Sequence, residues 1–106
     1  MIRLGRITIP AGESKNNTDT ATPFEIPATT SCVYLRASAN GIRYRSQPDG
    51  GDPSAVAADA DDFPLTAGIA FAENLGGTAC GGNPFVIACW NTSGASIDVD
   101  IYAVRA

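Results

Sequence analysis

Asn40-Gly41-Ile42-Arg43-Tyr44-Arg45, then Gln47-Pro48-Asp49-Gly50-Gly51-Asp52-Pro53, then Phe63-Pro64-Leu65-Thr66-Ala67-Gly68 is the stretch on which the fold turns. Asn-Gly accommodates the positive φ angles of a tight type I′ turn. Ile42 and Tyr44 alternate with Arg43 and Arg45, the period-two signature of a strand with one apolar face. Residues 47–62 are too long for a simple connection and too rich in Gly, Pro and Asp for a helix. Phe63 resumes an extended chain. The stretch therefore reads as strand, excursion, strand.

The same grammar runs outward in both directions. Ser31-Cys32-Val33-Tyr34-Leu35-Arg36-Ala37 places Val33, Leu35 and Ala37 on one face and Cys32, Tyr34 and Arg36 on the other. Ser38-Ala39-Asn40-Gly41 then predicts a hairpin joining it to Ile42-Arg43-Tyr44-Arg45. Near the end of the chain, Ile97, Val99 and Ile101 alternate with Asp98 and Asp100, the clearest amphipathic strand present. Phe85-Val86-Ile87-Ala88-Cys89-Trp90 is almost continuously apolar and predicts a central strand covered on both faces, with Trp90 in the core. Asn91-Thr92-Ser93-Gly94 is a turn. Ile2 to Ile9 is half alternating and ends at Pro10-Ala11-Gly12, a turn resembling Leu65-Thr66-Ala67-Gly68. Phe24-Glu25-Ile26 is held between two prolines, which confines it to a sheet edge or a strand end. Residues 13–22 are polar and aperiodic, and Ile69-Ala70-Phe71-Ala72 is a further short strand candidate. No segment of helical period is long enough to form a helix. The expected architecture is all-β, an antiparallel β-sandwich or jelly-roll-like barrel of about seven to nine short strands. One domain spans residues 1–106, with residues 1–22 as an extended N-terminal segment.

Composition narrows the function classes. Of the 106 residues, 44% are apolar and only 17% charged, so much of the surface falls to small and polar side chains. Such a surface is weakly defended against association. The net charge is −4 and the basic residues are scattered, which argues against the clustered cations of a nucleic-acid groove. Met1-Ile2-Arg3-Leu4-Gly5-Arg6 lacks the apolar core of a signal peptide, and no apolar run suits a membrane span, so cytosolic synthesis is expected.

Chemistry-bearing residues are sparse. There is no histidine, which removes the usual base for a serine or cysteine nucleophile. Cys80 lies among glycines with no cation beside it. Three cysteines make an odd count, unlike a secreted disulfide framework, and Cys32 and Cys89 read as buried free thiols. Spacing alone leaves a Cys32–Cys89 or Cys80–Cys89 bridge open. Asp49, Asp52, Asp59, Asp61, Asp62 and Glu73 could be paired carboxylates, but a solvated acidic loop accounts for them. Asp59-Ala60-Asp61-Asp62 lacks the glycine and terminal glutamate of an EF-hand, so no metal is expected. The glycines of residues 76–82 lack the Lys-Ser/Thr end of a phosphate-binding loop, and no cofactor is expected. Asn16-Asn17-Thr18 and Asn91-Thr92-Ser93 match glycosylation sequons by chance in a cytosolic protein. The chain is read as not an enzyme. Tyr34, Arg36, Arg43, Tyr44 and Arg45, with Asp49 and Asp52 from the loop, form the candidate interface, because Tyr and Arg dominate binding hot spots. Tyr34, Tyr44, Trp90 and Tyr102 are also candidates for a sugar-binding face.

The order of Pro23-Phe24-Glu25-Ile26-Pro27, Val33-Tyr34-Leu35-Arg36, Gly41-Ile42-Arg43-Tyr44-Arg45, Phe63-Pro64-Leu65-Thr66-Ala67-Gly68 and Trp90-Asn91-Thr92-Ser93-Gly94-Ala95 resembles small β-sandwich virion proteins of tailed bacteriophages. These are the capsid decoration or cement proteins and related head or tail accessory modules. The likeness covers roughly residues 20–106 and is one of strands and turns. It departs at residues 47–62 and 76–83. It implies a virion protein on the outer capsid surface, made in the host cytoplasm, trimeric, and partnered by the major capsid protein, with no nucleic acid or membrane bound. The alternative it implies is a tail-tip or fibre module that binds a host-surface glycan.

Overall fold

The computed structural model describes residues 2–27, 30–48, 58–59, 62–74 and 85–105. Eight strands follow one another: β1 (Ile2–Ile9), β2 (Ser14–Asn16), β3 (Thr30–Ala37), β4 (Ile42–Pro48), β5 (Phe63–Leu65), β6 (Phe71–Asn74), β7 (Phe85–Asn91) and β8 (Ile97–Arg105). They form two four-stranded antiparallel sheets, ordered β1-β8-β3-β6 and β2-β7-β4-β5. The fold is a β-sandwich rather than a closed barrel.

Alternation explains the packing. Ile7 and Ile9 of β1, Val33, Leu35 and Ala37 of β3, and Ile97, Val99 and Ile101 of β8 face inward from the first sheet. Ile42 and Tyr44 of β4, Leu65 of β5, and Ile87 and Cys89 of β7 meet them from the second. Burying a side chain of this size contributes about 1.5–3 kcal/mol. Ile26 is fully buried at the margin, but residues 24–26 form no strand. Strand β7 is covered on both faces as expected. Its inner side chains join the core, while Val86 and Ala88 lie under Ala58 on the outside. Trp90 belongs to this outer cluster and is half-buried, which corrects its expected place in the core. Its position follows from parity, since Trp90 points opposite to Cys89.

The expected hairpin at Asn40-Gly41 does not form. β3 pairs with β6 and β8, whereas β4 pairs with β5 and β7, so residues 38–41 carry the chain across the sandwich. The type I′ turn is also absent, since Asn40 keeps a negative φ; only Gly41 takes a positive one, +118°, a conformation that L side chains rarely adopt. The crossing is set by bonds to distant strands. Ser38 exchanges hydrogen bonds with Asp98, the Thr92 amide donates to the Gly41 carbonyl at 2.8 Å, and the Ala67 amide donates to Asn40 Oδ1 at 2.9 Å. Among the described strands, only β4 and β5 are consecutive in one sheet. The two similar turns at residues 10–12 and 66–68 likewise both pass between sheets.

Strand β2, within the stretch read as aperiodic, is held by side chains. Asn17 is fully buried; its Oδ1 accepts from the Ile87 amide and its Nδ2 donates to the Phe24 carbonyl, each at 2.9 Å. Asn16 Oδ1 accepts from the Thr18 and Asp19 amides. Both sequon asparagines, Asn16 and Asn91, are buried, at 1% and 0% exposure, which keeps them from a glycosylating enzyme.

Gly5 sits where β1 bulges between Arg3 and Gly5. A Cβ there would lie within 2.8 Å of three atoms of the Phe24 ring. Gly5→Ala is expected to destabilise the fold by about 1–3 kcal/mol, the cost of overpacking. In urea unfolding the loss should largely vanish in a Phe24→Ala background, since residues in contact are not additive. An equal loss in both backgrounds would refute the steric account.

Candidate functional site

The outer face of the β1-β8-β3-β6 sheet gathers arginines, tyrosines and aspartates in cross-strand rows. The bulge at Leu4 decides this. Arg3 and Arg6 are an odd number of residues apart and would face opposite ways in a regular strand. The extra residue brings both to the outer face, opposite Tyr102 and Asp100. One row then runs Arg3, Tyr102, Tyr34, Ala72, and the next runs Arg6, Asp100, Arg36.

Asp100 is the hub. Arg6 donates to it through Nε at 2.8 Å and Nη2 at 3.2 Å, and Arg3 through Nη2 at 2.9 Å. Arg6 also lies 3.6 Å from Asp98, which accepts from the Thr8 hydroxyl at 2.7 Å. The bond from Arg6 is the main cause that holds the Asp100 carboxyl below its usual range, and the same bond raises the Arg6 guanidinium. Arg36 is exposed and forms no ion pair among the described residues. It borders a depression of about 200 Å³ with Ala37, Ser38, Gly68 and Asp100. Tyr34 and Tyr102 are half-buried beside it. Among the described residues, three guanidiniums against two carboxylates give this face a charge of +1 on a chain of net −4.

The candidate interface read from the sequence is divided among three places. Tyr34 and Arg36 lie on this face. Arg43 and Arg45 lie on the outer face of the other sheet, tied down by the chain's own acidic loop. Arg45 donates to Asp62 Oδ1 at 3.1 and 3.2 Å and lies 3.6 Å from Asp59, while Arg43 donates to the Asp62 carbonyl at 3.5 Å. Ala58 is buried on the same sheet, its amide donating to Ser14 Oγ at 3.2 Å. Tyr44 points between the sheets at 6% exposure, packed against Phe63 and Phe71. Its hydroxyl donates to Glu73 of β6 at 2.6 Å, and Ser46 donates to the same carboxylate at 3.1 Å. The shared Tyr and Arg face expected of a β3–β4 hairpin is therefore lost, because the two strands lie in different sheets. Tyr44 and Trp90 cannot join Tyr34 in one sugar-binding face for the same reason. Asp49 and Asp52 lie outside the described residues, as do Asp61, Cys80 and the segment 76–83.

The face gains Arg3, Arg6 and Asp100, which sequence reasoning did not count as interface residues, and Tyr102, which it named only for a sugar-binding face. Tyr102 was accessible, since it continues the outward parity of Asp98 and Asp100. Arg3 and Arg6 were hidden by the bulge. Of the two described cysteines, Cys89 is buried and free, whereas Cys32 is free but only half-buried on the outer face, a correction to its expected burial. Among the described residues no cluster of His, Cys, Asp and Glu could hold a metal, and no helix is long and apolar enough to cross a membrane.

No family model, curated protein or solved structure matches the chain.

Proposed function

We propose that this β-sandwich is a structural assembly module of a virion, a capsid decoration or cement protein that docks through the outer face of its β1-β8-β3-β6 sheet. The observation that carries the reading is the gathering of Tyr34, Tyr102, Arg3, Arg6 and Arg36 on one continuous sheet face. Tyr and Arg are the side chains that most often anchor interfaces. Here they stand on strands whose other face is locked in the core, so little order remains to be imposed on binding. The partner class is the major capsid protein, and the working assembly is a homotrimer. Many small contacts on a repeating lattice would add through avidity.

The test is co-sedimentation of the purified chain with assembled heads of the major capsid protein proposed as its partner. Wild-type protein should travel with the heads, and Tyr34→Ala with Arg36→Glu should lower the bound fraction at least tenfold while leaving urea stability near wild type. Wild-type protein that stays in the supernatant would overturn the docking reading. Light scattering that finds a monomer at micromolar concentration would overturn the trimer.

A further inference from the structure

Strand β1 is the edge of its sheet, and a groove of about 460 Å³ runs along it. Arg3, Leu4, Gly5, Arg6 and Thr8 line one side, and residues 20–24 the other. Its size falls within the range of about 300–1,000 Å³ typical of ligand sites. Among the described residues, the backbone of residues 2–8 makes hydrogen bonds to β8 alone. Unpaired strand edges are templates for another strand. Loops or helices commonly blunt such edges, but here residues 20–24 touch the strand through the Phe24 ring at Gly5 and leave a slot beside it.

How β1 reads a strand is visible on its paired side. Strand β8 presents Ile97-Asp98-Val99-Asp100-Ile101, apolar and acidic in alternation. Its aspartates meet Arg6, Arg3 and Thr8 on the outer face, while its apolar residues face the core. The free edge offers the same two rows. Arg3 and Arg6 are half-exposed, at 51% and 50%, and Arg3 spends one N–H on Asp100, leaving donors for a second carboxylate. On the opposite side of the slot stand Ala21, Pro23 and Phe24.

We propose that the β1 edge binds an extended partner segment in which acidic and apolar residues alternate, by strand addition. Main-chain hydrogen bonds to β1 supply affinity, and alternate side chains supply specificity. The acidic residues meet Arg3 and Arg6, and the apolar ones turn toward Phe24 and Ala21. This names a partner chemistry for the assembly reading and rests on that reading only in taking the ligand to be a polypeptide.

The probe is the peptide Ser-Ile-Asp-Val-Asp-Ile-Tyr, which reproduces residues 96–102, titrated into the ¹⁵N-labelled full chain. Binding at about 1 mM or tighter is expected, with amide shifts confined to residues 2–8 and 20–24 and slowed exchange of outward β1 amides. A peptide with both aspartates replaced by lysine should bind at least tenfold more weakly. Arg3→Gln should weaken binding about fivefold, as should Ala21→Glu, which leaves the Asp100 ion pairs untouched. Absence of shifts at millimolar peptide would overturn the proposal. So would equal binding of the lysine peptide, or shifts centred on β3, which would mean displacement of β8. Wild-type chain that co-sediments with heads but ignores the peptide would sink the groove and leave the docking face standing.

Discussion

Asn91→Ala is expected to lower the unfolding free energy by about 2–4 kcal/mol, a large share of the 5–15 kcal/mol that small domains possess. Asn91 is fully buried at the end of β7, and every polar group it has is used. Its amide donates to the Glu13 carbonyl at 2.9 Å and its carbonyl accepts from the Gly12 amide at 3.0 Å. Its Nδ2 donates to the Ile9 carbonyl at 2.8 Å and the Ala95 carbonyl at 2.7 Å, while Oδ1 accepts from the Ser93 amide and hydroxyl. Ile9 belongs to the other sheet, so one side chain joins both halves of the sandwich and shapes the turn into β8. Truncation removes the donor that Asn91 gives the Ile9 and Ala95 carbonyls and the acceptor it gives the Ser93 amide, a cost of about 1–3 kcal/mol, and loosens the turn further. Asn91→Asp should cost at least as much, because a carboxylate cannot donate and would face two carbonyl oxygens. Chemical unfolding of the two variants checks this. A loss below about 0.5 kcal/mol for Asn91→Ala would show that water replaces the amide without penalty.

The local alphabet of this fold was legible; its wiring was not. Period-two alternation placed Val33, Leu35 and Ala37 inside, and did the same for Ile97, Val99 and Ile101, because burial of one face acts residue by residue. Asn40-Gly41 announced a change of direction and a positive φ at Gly41, but not the type I′ turn, since Asn40 keeps a negative φ. It could not announce whether β4 would pair with β3 or cross to the other sheet. That choice is made by Asp98, Thr92 and Ala67, up to 60 residues away in sequence. The candidate interface failed at the same point: Tyr34 and Arg36 were read correctly as outward, but their assumed neighbours Arg43 and Arg45 went to the opposite surface. The true neighbours, Arg3 and Arg6, share a face only through the bulge at Leu4. A single inserted residue inverts parity, and nothing in Ile2-Arg3-Leu4-Gly5-Arg6 beyond the glycine marks it.

The chain should also lose stability steeply in alkali. Burial pushes the Cys89 thiol up to about 12 from its ordinary 9.0. Tyr44 is raised above its ordinary 10.0, first by burial and then by its hydrogen bond to Glu73. In both cases the folded state keeps a proton that the unfolded chain releases. Their contribution is therefore complete below about pH 9 and is lost as pH rises, with Cys89 acting from pH 9 and Tyr44 from pH 10. Each group costs ~1.4 kcal/mol per pH unit within its window. Between pH 8 and pH 11 the domain should weaken by roughly 3–4 kcal/mol. The readout is this difference, measured by urea unfolding at each pH, and not the absolute stability of any variant. Cys89→Ala leaves a small cavity and lowers stability at pH 8, yet it should remove more than half of the alkaline loss. Tyr44→Phe should remove most of the remainder, because Glu73 can then no longer hold a hydroxyl proton in place. A wild-type chain equally stable at pH 8 and pH 11 would mean that solvent reaches both groups in the folded state, and the closed β4–β6 margin of the core would have to be redrawn.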